Sequence, residues 1–300
     1  MILVVVILLA VCIGIPLGYA WRIWRLSERS RVAWLLVVAD SAVFVALVML
    51  VGRWDIAGYY TRFVLLALLA VAVVLSLLRH ARLPWLPADG ASVWRQHWPT
   101  AGSLALFGAA LVYVLLGLRT PADTRDLAFP LQGGTFVVGQ GGSITLLNHH
   151  TSHREQHYAA DITAIGPAGF RASGILPRDV TSYEIYDALV VSPCEGTVLA
   201  AVDDLPDLPP PERDGDNAAG NHVVLDCGDI EVEIAHLREG SVAVETGDTL
   251  VMGEPIGRVG NSGNTTEPHL HIHAVDPQTR TGVAVTFDGR FPVRNRIYRN

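Results

Sequence analysis

The sequence contains no lysine: its 22 basic residues are all arginine, set against 29 acidic residues for a net charge of −7. The shortage of positive charge is uneven. Residues 1–120 carry ten Arg and four acids, whereas residues 121–300 carry twelve Arg and twenty-five acids. The second part lacks the basic face that phosphate binding needs, which excludes nucleic acid as a partner. Cysteine is almost absent too, with only Cys12, Cys194 and Cys227. Cys12 falls inside an apolar run. The other two either pair, as an oxidising compartment would allow, or remain two separately buried thiols.

Polar residues are missing from four long runs, residues 2–21, 32–51, 63–78 and 101–118. A soluble helical core would show polar faces at 3.6-residue spacing, and these runs do not. Each approaches the roughly 20 apolar residues that cross a hydrocarbon core. Half of all residues are hydrophobic and the mean hydropathy is +0.35, which is high for a soluble enzyme. The seven tryptophans (Trp21, Trp24, Trp34, Trp54, Trp85, Trp94 and Trp98) all fall in this half, mostly near run ends, as in an interfacial aromatic belt. No positive charge precedes the first run, so it reads as a retained span with its N-terminus outside, not as a cleaved signal peptide.

Arginine then sets the orientation. The first loop carries Arg22, Arg25, Arg29 and Arg31 against Glu28, and the third carries Arg79, Arg82 and Arg95 against Asp89. The second is nearly balanced, with Arg53 and Arg62 against Asp55. Positive loops stay cytoplasmic, so four spans leave both ends of the region outside. Asp40, in the second span, is either a functional carboxylate or one that hydrogen-bonds within the bundle, with no second ionisable partner evident in the spans.

The richest segment is Glu267-Pro268-His269-Leu270-His271-Ile272-His273. In an extended strand, His269, His271 and His273 share one face while Leu270, Ile272 and Ala274 take the other. Three imidazoles on one face suit metal or acid–base chemistry better than packing. Upstream lies His157-Tyr158-Ala159-Ala160-Asp161, and between the two comes Ile234-Ala235-His236-Leu237. A catalytic zinc takes three protein ligands of mixed His and carboxylate type and keeps a fourth position open. His157, Asp161 and one His of the strand meet that count, leaving His236 and a second strand His for proton transfer. Ile230, Val232 and Ile234 alternate with Glu231 and Glu233, so His236 continues the apolar parity and points inward. Val223–Leu225 and 230–234 flank Asp226-Cys227-Gly228-Asp229, a hairpin signal in a mostly β region.

These blocks, in this order, resemble the lysostaphin/LytM-type zinc metallopeptidases that cut bacterial peptidoglycan. The likeness extends to Glu195-Gly196-Thr197-Val198, Gly220-Asn221-His222-Val223-Val224, Glu245-Thr246-Gly247-Asp248, Gly253-Glu254-Pro255-Ile256-Gly257 and Gly260-Asn261-Ser262-Gly263, and covers about residues 155–277. It implies zinc held by His157, Asp161 and His271, and catalysis by His236 and His269. It also implies a mostly antiparallel β domain of the LytM-like, duplicated hybrid motif type over 151–300. Before that domain come a four-span α-helical membrane region over 1–120 and a linker and entry segment over 121–150.

The expected activity is that of a membrane-anchored zinc metalloendopeptidase, with peptidoglycan peptides as substrate and the lipid bilayer as surroundings. The expected place is the bacterial inner membrane, with the peptidase domain outside the cytoplasm. The alternative is a non-catalytic LytM-like protein that regulates cell-wall hydrolases. The chain departs from the family pattern in two places. Ile272 and His273 stand where an aromatic and Glu usually follow His-Leu-His, and about twenty extra residues, 166–186, follow Asp161. His273 reads as a surface residue or one behind the ligands. His149, His150 and His153 read as a polar loop, not a second metal site, and 166–186 as a wall of the substrate groove or a solvated insertion.

Overall fold

The computed structural model describes residues 2–88 and 92–299; Asp89, counted above in the third loop, lies outside the described residues. The chain divides into two compact units, one of them Val6–Leu116 and the other built mainly on Gly117–Asn300.

Among the described residues four helices are long and apolar enough to cross a membrane: α1 (Ile2–Trp24), α2 (Arg31–Val51), α3 (Thr61–His80) and α4 (Val93–Gly117). The last begins eight residues before the apolar run expected at 101, and accommodates Pro99 in its second turn. Ser30 caps α2, its Oγ accepting the Ala33 N–H at 3.3 Å. Ile23, Val45, Leu69 and Ala72 form a small shared core. The outward residues, such as Val64, Val71 and Leu78, are as apolar as the inward ones, a surface suited to hydrocarbon and not to water. Asp40 does have an ionisable partner: it is buried against Arg22, with Arg22 Nη1 3.0 Å from Asp40 Oδ2. Sequence counting placed Arg22 in a loop, whereas it stands on the last turn of α1.

The second unit is an antiparallel β domain. Its strands are β1 (Thr124–Leu127), β2 (Thr135–Gln140), β3 (Ala160–Ala164), β4 (Leu189–Val191), β5 (Gly196–Val202) and β6 (Asn221–Asp226). They continue with β7 (Glu231–Leu237), β8 (Thr249–Leu250), β9 (Pro255–Arg258), β10 (Leu270–Asp276), β11 (Thr281–Phe287) and β12 (Ile297–Arg299). The main sheet runs β12-β2-β3-β10-β7-β6-β5-β8, with β11 also on β10 and a separate β4–β9 pair. Among the described residues only β1, which pairs with β11, is parallel to its neighbour. Residues 121–150 are therefore more than a linker: they supply β1 and β2, and β2 pairs with the strand carrying Asp161.

Alternation decides which side chains meet. Leu270, Ile272 and Ala274 of β10 join Ile162, Val232 and Ile234 in the core. His271 pairs with Asp161 on one side and Ala235 on the other, so these three share the opposite face. Burying the apolar set fixes the register, because a one-residue slip would send every histidine into the core. The expected hairpin joins β6 to β7, and Cys194 is bonded to Cys227 in its turn, with Cα atoms 6.0 Å apart.

Candidate metal centre and active site

Asp161 is the centre of the site. Its Oδ1 lies 2.9 Å from His271 Nδ1, 2.9 Å from His150 Nε2 and 3.6 Å from His269 Nε2. The His236 ring lies tilted at 4.8 Å from that of His269 and edge-on at 5.8 Å from that of His271. Thus the structure brings together four of the five residues singled out from the sequence: Asp161, His236, His269 and His271.

His157 is the exception. Its Nδ1–H donates to the Thr151 carbonyl at 2.8 Å and its ring packs edge-on against Tyr158. A spacing of four aligns two side chains only where the backbone between them is a regular strand or helix. Here β3 begins at Ala160, and the Ala159 N–H bonds the Gln156 carbonyl at 2.9 Å, so a turn separates His157 from Asp161.

His150 takes the place beside Asp161, although in the sequence it reads as part of a polar loop. A short 3-10 turn, His149–Ser152, lifts it there. Asn148 fixes the turn: its Oδ1 accepts the His150 N–H at 3.1 Å, and its Nδ2 donates to the carbonyls of Gly142 and Ala159 at 3.1 and 2.9 Å. A buried Asn that ties a His-rich turn to the approach of a carboxylate strand was the available signal. The His149 ring lies tilted against that of His150 with centroids 3.9 Å apart, and His149, His150 and Asp161 offer ligand atoms all within 4.8 Å of one another.

His236 reaches the site by a different route from the one its parity suggested. Between β6 and β7 the pairing shifts, Asn221 facing Leu237 but Val223 facing Ile234, so β7 carries an extra residue there. His236 itself has φ +63°, a left-handed conformation. This bulge breaks the alternation and turns Ala235 and His236 to the same side; strict alternation would have sent His236 into the core. Its Nδ1–H donates to the Ser262 carbonyl at 2.9 Å. His269 is held in the same way, its Nδ1–H on the Glu267 carbonyl at 2.9 Å. With both Nδ1 protons engaged by backbone carbonyls, Nε2 is the nitrogen each ring has left for the site. His273 sits behind His271, its Nδ1 3.2 Å from His271 Nε2, as expected for a residue behind the ligands.

The charge states suit ligation. Burial works against ionising Asp161, yet the neighbouring His150 and His269, with hydrogen bonds from His150 and His271, hold its pKa well below the usual carboxylate range. Burial pushes His271 and His236 down, so both rings are neutral near pH 7. Burial also opposes protonation of His150, but Asp161 outweighs it and raises the pKa. The site opens into a cavity of about 420 Å3, lined among others by His149, Gln156, Ala218, Glu233 and Asn264. No residue of 166–186 lines it, so that segment does not form the expected groove wall at this cavity.

With His150 giving up its proton as the metal binds, the ionised carboxylate oxygen and the imidazole nitrogens converging on it form a donor set that fits a zinc ion. His150, Asp161 and His271 would hold it, and His236 and His269 stand beside them unengaged by the carboxylate's short contacts.

Comparison with known proteins bears on the second part of the chain. No curated protein matches it. Among solved structures it resembles a zinc-containing peptidase from Vibrio cholerae (18% identity, 55% of this chain and 39% of that one, TM-score 0.33). It also resembles the deep-sea M23 metalloprotease pseudoalterin (15%, 60% and 100%, TM-score 0.35). A third likeness is to the SpoIIQ–SpoIIIAH pore-forming complex (16%, 53% and 88%, TM-score 0.33). The chain spans well under half the length of the Vibrio peptidase. Residues 183–283 match the model of peptidase family M23; His236, His269 and His271 fall inside the match, and His150 and Asp161 ahead of it. The chain therefore carries an M23 peptidase domain, preceded by four helices apolar enough to span a membrane.

Proposed function

We propose that the chain is a membrane-anchored zinc metalloendopeptidase whose substrate is a peptide bond of peptidoglycan cross-links. The observation that carries this reading is the convergence of His150 and His271 on Asp161 Oδ1, with His236 and His269 alongside. His150, Asp161 and His271 hold the metal, and His157 does not. Zinc bound there supplies a water of lowered pKa and polarises the scissile carbonyl. The protein's own residues do the rest. With their Nδ1 protons donated to backbone carbonyls, His236 and His269 present Nε2 to the cavity. One takes the water's proton, and the other steadies the developing oxyanion or protonates the leaving amine. No nucleophilic side chain and no covalent intermediate is required.

The second reading, a non-catalytic protein that controls cell-wall hydrolases, is favoured by one fact: the family match starts downstream of both His150 and Asp161.

Metal analysis and cleavage of peptidoglycan-derived peptides by the purified full chain separate the two. The expected result is zinc in the wild type, sharply reduced by His150→Ala and His271→Ala and kept by His157→Ala. His236→Ala and His269→Ala should keep zinc and lose turnover by about 10²- to 10⁴-fold. Zinc without cleavage would favour the second reading. Zinc lost from His157→Ala but kept by His150→Ala would overturn the ligand set.

A further inference from the structure

Residues 166–186 close on themselves through the Ala172–Tyr183 bridge and the bond from Glu184 N–H to the Arg171 carbonyl, 2.9 Å. Their exposed side carries Phe170 and Ile175, but their underside is packed: Arg171 is only 2% exposed, and Tyr183 and Ile185 are buried with it. A solvated insertion has no reason to bury an arginine, because a buried guanidinium costs free energy unless it is paired.

The pairing leads to the active site. Arg171 Nε and Nη2 donate to Glu267 Oε2 at 2.8 and 2.6 Å, and Nη2 also donates to the Ile175 carbonyl at 3.2 Å. The guanidinium carbon lies 5.7 Å from the Tyr183 ring centre. Glu267 is gripped at its other end too. Its carbonyl accepts the His269 Nδ1–H at 2.9 Å and the Thr265 hydroxyl at 2.8 Å. One residue thus connects a buried arginine of the extra segment to the ring of a proposed catalytic histidine. With Nδ1 committed to that carbonyl, His269 Nε2 is turned towards Asp161.

We propose that Arg171 is a positioning residue for His269: by clamping the Glu267 side chain it fixes the carbonyl that sets the tautomer and aim of the imidazole. The extra segment then serves catalysis from behind the site. This rests on the reading of His269 as a proton-transfer group.

The test uses the full chain in detergent micelles, with zinc content, kcat and KM measured on a peptide substrate. Arg171→Ala should retain zinc and lower kcat by about 10²-fold, the scale of a misplaced catalytic group, with KM unchanged. Arg171→Lys, which keeps the charge but not the two-pronged grip, should recover part of the loss. Glu267→Gln, which leaves backbone and volume intact, should lower kcat in the same direction and decides the matter should Arg171→Ala fail to fold. In a His269→Ala background, Arg171→Ala should cost nothing further, since the group it positions is gone. An undiminished effect in that background, or a change in KM alone, would overturn the proposal.

The imidazole signals of His269 in histidine-labelled protein give a readout independent of turnover. Arg171→Ala should shift them and leave those of His157 in place; unshifted signals overturn the positioning role. If the wild type cuts no peptide, the peptidase reading fails and these signals alone judge the clamp.

Discussion

His273 is nearly enclosed, with Nδ1 against the Nε2 of His271, and burial followed by the nearby His271 lowers its pKa to about 3. Burial and His150 likewise lower His149 to about 4. In the unfolded chain a histidine titrates near 6.5. Between about pH 6.5 and these folded values the unfolded state binds protons that the folded state refuses. The stability from these two groups is therefore complete above about pH 6.5 and is lost as the pH falls towards 4 and then 3. Calorimetry of the metal-free protein should show the β domain's melting temperature falling on acidification from pH 7 to 4, and a shallower fall for His273→Gln. An identical slope in that variant would remove His273 from the acid response. The same neighbourhood shows what a sequence hides at this scale. Asp161, His236, His269 and His271 were legible because their motifs are ordered and their residue types serve one chemistry. His150 was not, because its approach depends on a turn closed by the Asn148 side chain, whereas His157 had the spacing a regular strand would have used.

At the scale of elements, β10 was legible in full. Its alternation of His with Leu, Ile and Ala separates the histidine face from the core without ambiguity, and the β6–β7 hairpin follows from Gly228 (φ +93°) in its turn. The bulge in β7 was not legible, since nothing in Ile234-Ala235-His236-Leu237 marks an extra residue. It is visible only as a shift of pairing against β6, so the parity that points His236 into the core does not hold and the bulge turns it to the histidine face. The Cys194–Cys227 bond joins the approach to β5 to the β6–β7 turn across a separation of 33 residues. Closing a loop of that length in the unfolded chain stabilises the fold by about 4 kcal/mol in the chain-entropy account. Denaturation of the β domain in the double variant Cys194→Ala, Cys227→Ala should therefore show a loss of that order, with zinc content retained because neither cysteine belongs to the ligand set. A loss of zinc would mean that the bond holds the site's shape as well as the fold's stability.

For the whole molecule the decisive quantity is the distribution of arginine about α1 to α4. The α1–α2 connection contains Arg25 and Arg29, with Arg31 opening α2, while Arg79 and Arg82 follow or close α3. The connection between α2 and α3 offsets Arg53 with Asp55, the two side chains 2.6 Å apart. An excess of arginine in short loops holds them on the cytoplasmic side. Under the proposed function, crossing by α4 would place the β domain on the opposite side, with peptidoglycan and in an oxidising compartment that suits the Cys194–Cys227 bond. Compartment-sensitive reporters inserted between Arg25 and Ser30, and at Ala88, should read as cytoplasmic, and one fused after the β domain as external. A thiol-reactive, membrane-impermeant reagent gives an independent check: cysteines introduced at exposed Asp229 or Asp288 should be labelled from outside intact cells stripped of their outer layers. Protection of both positions, with labelling only after lysis, would put the β domain in the cytoplasm. It would separate the site from peptidoglycan and leave a peptide of the cell interior as its substrate.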